Sequence, residues 1–305
     1  MHRIAGGSPL LHGFRLSLVV EGLRPCTIDH YVRDVQRFLD ALPTTPELAP
    51  ALVTVADVRA FLASFQETHA PKTVREAQLA LRRFFRWLVQ EGEIAQDPTR
   101  DMKLTAFRVS PQPTYSEPEV KSLLLACDSK TLGGIRDKAL VLTLFDTGVR
   151  EGELVSMGLP NWERRMVRVD GKTGVRHVPL GNASLQALER YTRRWGITDG
   201  CLWRGKKGAL TGSGVLQIVR RLCLRAGVTH KGVHAFRRAA AAQMKRLGMQ
   251  DSDILEVCGW QSIAMLRRYT AGVAEELAQH AHRRYSPGNN VAYGGKDAAF
   301  GSRKA

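Results

Sequence analysis

The chain has 305 residues, 44% apolar and 24% charged, which is material for about two packed domains of roughly 150 residues each and excludes a wholly disordered protein. Its 45 Lys and Arg residues face 29 Asp and Glu, and the net charge of +16 points to a polyanionic partner, either nucleic acid or an anionic membrane surface. No apolar run approaches the roughly 18 residues of a membrane span, and the N-terminal MHRIAGGSPLLHGF holds no secretory apolar core, so the membrane reading falls away.

Charge is unevenly spread, with +2 over residues 1–110 and +12 over residues 111–285. Between them Val109-Ser110-Pro111-Gln112-Pro113 reads as an extended linker, because two prolines disfavour helix. Before this seam the pattern is helical. A first helix is predicted from Thr27 as N-cap, with Ile28, Tyr31, Val32, Val35, Phe38, Leu39 and Leu42 on one face and Pro43 as its stop. Thr54 with Asp57 three residues on forms a capping box that opens a short helix through Phe65. A third helix follows Pro71, with Val74, Ala77, Leu81, Phe84, Phe85 and Leu88 buried and Gly92 just beyond its end. Its other face carries Lys72, Arg75, Arg82, Arg83 and Arg86, either a solvated helix face or a contact to phosphate backbone.

Beyond the linker, Ser116-Glu117-Pro118-Glu119 is a second capping box. A helix over about 135–145 is predicted to end at Gly148. Residues 166–169 and 175–180 read as strands of a hairpin around Asp170-Gly171-Lys172-Thr173-Gly174. Helices follow at about 183–195, 213–226, 235–247, 251–258, 262–269 and 274–284, and the Gly-rich tail from Pro287 reads as disordered. The fold class is therefore mainly α with a small β-sheet. Cys26, Cys127, Cys201, Cys223 and Cys258 are odd in number, scattered and without a CxxC pair. They read as reduced thiols of a cytoplasmic protein, neither a zinc site nor a disulfide frame.

Functional side chains gather at the element boundaries. Arg150 follows the Gly148 cap with Glu153 three residues on, Lys172 sits at the hairpin tip, and His234 and Arg237 lie three apart at a helix start. Gly259-Trp260 follows a short helix, and Tyr269 lies nine residues past Trp260. Singly, each has an ordinary structural reading: a surface arginine, a capping histidine, a packed tyrosine. In this order and spacing they form the signature of the tyrosine recombinases, and over about residues 12–285 the chain resembles that family, which includes the Xer recombinases, Cre and the phage integrases. Thr27, Tyr31, Asp34 and Phe38 are similar to a pattern of the family's core-binding domain.

The resemblance implies a helical, SAM-like core-binding domain at 10–108, a linker at 109–113, a catalytic domain at 114–285 and a flexible tail at 286–305, with the two domains closing as a C-shaped clamp on DNA. It implies that Tyr269 attacks the scissile phosphate to give a 3′-phosphotyrosyl link and a free 5′-hydroxyl. A tetramer, of one protomer type or two, would exchange strands between two duplexes with short specific core sites through a Holliday junction. No cofactor, metal or ATP is expected.

The chemistry asks for these residue types independently. Guanidinium forks make bidentate, permanently charged contacts to phosphate, which suits Arg150 and Arg237; loss of one such donor costs on the order of 3 kcal/mol elsewhere. A tyrosine hydroxyl can hold a covalent phosphate, and its proton needs a base, for which His234 is the nearest candidate. Lys172 on a hairpin tip can protonate the leaving 5′-oxygen. The Trp260 indole N–H can donate to phosphate but cannot titrate, and Glu153 is expected to brace His234 or an arginine. The segment 274–284, with Val273, Leu277 and Ala281 on one face, either docks on a neighbouring protomer or packs on its own domain.

Three features depart from the common family pattern. Arg238-Ala239-Ala240 stands where many members carry His-Thr or His-Ser, Phe236 replaces leucine, and the Gly-rich tail has no counterpart. With the first predicted helix starting within about 30 residues of Met1, no arm-binding domain is expected, so the reading is a simple Xer-like or element-borne enzyme. Chromosome-dimer resolution and mobile-element integration or excision both fit it. Two rivals remain: type IB topoisomerase-like relaxation, and a catalytically silent DNA-binding protein of the same fold. The spacing from Gly259-Trp260 to Tyr269 disfavours the first, and retention of all six catalytic residues disfavours the second. Lys206, Lys207, Arg220 and Arg221 read equally as phosphate contacts or as a solvated basic face.

Overall fold

The computed structural model describes residues 9–42, 53–107, 112–171, 174–205 and 207–293. Lys172, Lys206, Pro43 and most of the predicted linker lie outside the described residues. The chain divides into two compact units, Met1–Val109 and Ser110–Ala305.

In the first unit, α1 (Pro9–Val20), α2 (Pro25–Asp40), α3 (Val55–Thr68) and α4 (Pro71–Gln90) pack around a core in which Phe14, Phe38, Phe84 and Phe85 are fully buried. Each such ring contributes about 1.5–3 kcal/mol of transfer free energy, and Phe14 on Phe84 and Phe38 on Phe85 meet edge to face, as ring quadrupoles favour. The Thr54–Asp57 capping box forms in both directions. α2 begins at Pro25, not after Thr27, because proline at the first helical position presets φ and Arg24 supplies the extended cap. α3 runs three residues past the predicted Phe65. α1 was not predicted: its apolar residues encircle the helix, with Leu11, Phe14 and Leu18 inward but Leu16, Val19 and Val20 exposed, which blurs the 3.6-residue period.

α4 also clasps the segment leading to the seam. The buried Gln78 amide donates to the Lys103 carbonyl at 2.8 Å and accepts the Thr105 N–H at 2.9 Å, so one side chain stands in for a strand partner.

The second unit is built on α6 (Leu132–Thr147), which is buried along most of its length and packs against α5 (Glu117–Leu125), α8 (Asn182–Trp195) and α10 (His234–Arg246). The Ser116–Glu119 capping box and the Gly148 C-cap, at φ 59°, form as predicted. β1 (Met166–Gly171) and β2 (Gly174–Pro179) make an antiparallel hairpin in which Val167 faces Val178 and Val169 faces Arg176. The remaining elements are α7 (Glu151–Val155), a two-residue pair β3 (Arg204–Gly205) and β4 (Gly208–Ala209), α9 (Gly212–Ala226), α11 (Asp251–Cys258), α12 (Ile263–Thr270), a 3-10 turn (Ala271–Val273) and α13 (Ala274–Tyr285). The first part of the tail departs from expectation, since Pro287–Tyr293 forms a short helix, α14, started by proline at its first position; residues 294–305 lie outside the described residues. A small second cluster of Ala241, Ile254, Cys258, Trp260 and Leu266 lies beside the main core and supports the residues described next.

Candidate active site

Three helix boundaries bring together those predicted residues that lie among the described ones, and a hairpin adds one more. α6 ends on the left-handed Gly148, and the chain turns so that Arg150 becomes the N-cap of α7. Glu153, 1% exposed, then reaches back: it accepts the Arg150 backbone N–H and the Arg150 Nη1–H, each at 2.8 Å. A second guanidinium, from Arg176 on β2, donates to the other side of the same carboxylate at 3.1 Å. Glu153 thus braces arginines and not His234. Arg150 also donates to the Gly259 carbonyl at 3.3 Å, tying α7 to the end of α11.

Arg237, on the first turn of α10 and 1% exposed, spans the other two helix ends. Its Nη1 donates to the Gly148 carbonyl and its Nη2 to the Cys258 carbonyl, each at 2.5 Å, and its guanidinium lies 4.7 Å from the Trp260 ring centroid. These bonds satisfy two of the carbonyls that helix C-termini leave without partners. They also differ from the open fork expected from the sequence, because one N–H on each Nη is committed to backbone. The Arg237 Nε–H and the Trp260 Nε1–H are buried without an acceptor, an arrangement that costs folding free energy unless a ligand oxygen supplies it.

Tyr269, on α12, is half-buried and stacks on Trp260 at 4.7 Å between centroids and 28° between planes. Its hydroxyl lies 2.6 Å from His234 Nε2. His234 is open to solvent on one side; desolvation on the other, and then the positive guanidinium groups of Arg238, Arg237 and Arg150, push its pKa down to about 4. At neutral pH the imidazole is uncharged and able to accept a proton. Burial alone would raise the Glu153 pKa, but the Arg150 N–H and the Arg176 and Arg150 guanidinium groups outweigh it and hold the carboxyl below its usual range. Burial lowers Arg237 to about 10, which leaves it charged.

The site therefore unites Arg150, Glu153, His234, Arg237, Trp260 and Tyr269. Arg176 is the member that sequence reasoning missed. Its signal was the alternation of β2: it shares the inward register of Val178, where an arginine requires a buried partner. The departure at Arg238 resolves as an anchor, its Nε donating to the Pro113 carbonyl at 2.8 Å, and Phe236 packs on Tyr115 with centroids 4.6 Å apart.

The basic face of α4 is largely committed elsewhere. Arg75 donates to the Thr105 carbonyl and Arg82 to the Met102 carbonyl; Arg83 pairs with Glu21 and covers the Tyr31 ring. Lys72 is exposed beside Glu76, and Arg86 is exposed. Arg221 pairs with the buried Asp137, while Lys207 and Arg220 are exposed.

Two family models match the chain, the phage integrase family over residues 114–276 and the phage integrase N-terminal SAM-like domain over residues 10–93. Tyrosine recombinase XerC of Myxococcus xanthus is 29% identical over 287 residues, covering 89% of this chain and 96% of its own. Tyrosine recombinase XerC of Roseiflexus castenholzii is 31% identical over 258 residues, covering 80% and 82%. Among solved structures, a lambda integrase dimer bound to a COC′ core site superposes with a TM-score of 0.72 at 18% identity, covering 86% of this chain and 94% of that one, which is a likeness of fold.

Proposed function

The chain belongs to the phage integrase family and is a site-specific tyrosine recombinase, and we propose that Tyr269 is its nucleophile, with His234 as the base that accepts its proton. The observation that carries this assignment is the 2.6 Å contact between the Tyr269 hydroxyl and an imidazole held neutral by a pKa of about 4.

In the first half-reaction the Tyr269 oxygen bonds to phosphorus as its proton passes to His234 Nε2. The bond from phosphorus to the 5′-oxygen breaks, and Lys172 supplies the proton to that leaving group. The product is a 3′-phosphotyrosyl ester and a free 5′-hydroxyl. Attack by a 5′-hydroxyl from a second duplex reverses each step, so the phosphodiester energy is kept and no external source is consumed. Arg150, the Arg237 Nε–H and the Trp260 Nε1–H stabilise the charge that builds on the non-bridging oxygens.

The substrate is double-stranded DNA with a short specific core site, met in the cytoplasm, and the working unit is a tetramer on two duplexes exchanging strands through a Holliday junction. In support, no residue of α13 is buried, although its first turn is pinned by an Arg246–Glu276 ion pair at 2.7 Å, which leaves the helix available to a neighbouring protomer.

Covalent trapping tests the assignment. Wild type and Tyr269→Phe are incubated with nicked duplexes from a sheared pool of the source genome, and DNA that stays attached through SDS is sequenced. Adducts with wild type alone, on a narrow set of sequences and linked through the 3′-phosphate, are the expected result. Adducts spread over all sequences would instead favour topoisomerase-like relaxation, and specific binding without adducts would leave a silent DNA-binding protein.

A further inference from the structure

Arg176 lies on the inner register of the β1–β2 hairpin, facing Val169 across the strands. Its Nη2 reaches Glu153 Oε2 at 3.1 Å and its Nη1 reaches the Val257 carbonyl at 2.5 Å. One side chain thus joins the hairpin, the Glu153 carboxylate and the last turn of α11, just before Gly259-Trp260. Two glycines make room for this junction. A Cβ at Gly171 would come within 2.5 Å of Glu153 Oε1, and one at Gly259 within 2.5 Å of Arg176 Nε.

The junction settles an electrostatic conflict. A buried carboxylate 2.8 Å from Arg150 fixes that guanidinium in place, but it also cancels the charge that Arg150 has to offer a phosphate. Buried pairs are screened little by salt, so the cancellation would persist in solution. A second guanidinium on the same carboxylate returns the three groups to a net charge of +1. The brace is kept, and the equivalent of one full positive charge remains for the substrate.

We propose that Arg176 is a positioning residue of the strand-transfer reaction, which offsets the charge of Glu153 so that Arg150 is held in place and still electrostatically available to the scissile phosphate. The inference rests on the recombinase assignment above. Arg176 itself contacts no substrate in this scheme and acts through Glu153 and Arg150.

The test measures single-turnover adduct formation on a nicked duplex bearing the sequence trapped by wild type, with duplex affinity and melting temperature in parallel. Arg176→Gln is expected to slow cleavage by about 10–100-fold while affinity stays within about twofold. Arg176→Lys is expected to recover part of the rate, since the charge returns without the two-pronged reach. The decisive variant is Glu153→Gln with Arg176→Gln: if Arg176 works by offsetting charge, removing both charges makes cleavage faster than in Arg176→Gln alone. A double variant as slow as Arg176→Gln or slower overturns the proposal, because a purely structural tie gives that result, as does Arg176→Gln cleaving within twofold of wild type. Should Arg176→Gln not fold, the test passes to Arg176→Lys, whose cleavage must stay within about tenfold of wild type, and a loss as complete as that of Tyr269→Phe refutes the proposal. Absence of adducts with wild type itself would remove the recombinase assignment, and this inference with it.

Discussion

At the smallest scale the proposed base, His234, carries the testable chemistry. With a pKa near 4 it is neutral at physiological pH, and it becomes a cation unable to take the Tyr269 proton only as pH falls through about 4. Cleavage is therefore expected to persist well below pH 6.5, with its acid limb near 4. The same shift enters stability. The unfolded imidazole, at 6.5, binds its proton more tightly than the folded one, so acidification through the window from 6.5 to about 4 weakens the fold. An NMR titration of the DNA-free protein reads the ring directly, and a midpoint near 6.5 would refute the assignment. The candidate site residues were legible in the sequence because phosphoryl transfer restricts such groups to few side-chain types at fixed boundaries. Arg176 was not, because its role depends on Glu153 and Val257, brought to it only by folding.

At the scale of elements, two glycines show which turns serve the site. Gly196 and Gly259 both end helices in the left-handed region, at φ 61° and 62°. A Cβ at Gly196 would meet nothing within 4 Å, whereas one at Gly259 would strike Arg176. Gly196→Ala is expected to cost about 1–2 kcal/mol of stability and leave cleavage unchanged, as read by melting temperature and adduct formation. Gly259→Ala is expected to lower both, and equal cleavage in the two variants would detach the α11 turn from the reaction. Most helices were legible from their caps and apolar faces. α7 and the β3–β4 pair were too short to carry a period, and α14 was masked by Gly288, which reads as loop.

At the scale of the whole molecule, a charge of +16 makes salt the main control on DNA binding. Affinity for duplex DNA is expected to fall linearly on logarithmic axes as salt rises, and Lys72→Ala and Arg86→Ala are each expected to lessen the slope by about one. Arg75→Ala and Arg82→Ala are expected to leave the slope alone and lower the melting temperature, because these side chains hold the Thr105 and Met102 carbonyls. Slope changes of equal size in all four variants would return the α4 face to a plain phosphate contact. The excess of basic residues was plain in the sequence; which of them face inward was not, since that depends on where the segment after α4 runs.

Arg237 joins the ends of α6 and α11 through Gly148 and Cys258, deep beneath the half-buried Tyr269. Its removal would strand two carbonyl oxygens inside the protein, whereas Tyr269→Phe takes away one hydroxyl at the rim. If both act in the proposed reaction, the two side chains stand under different evolutionary constraints. A lineage that gave up strand exchange and kept only its grip on DNA could discard the tyrosine with little harm to the fold, while the arginine would still be selected as a structural tie. Loss of activity by descent should leave its mark first at position 269, above an arginine that outlives the reaction it once served.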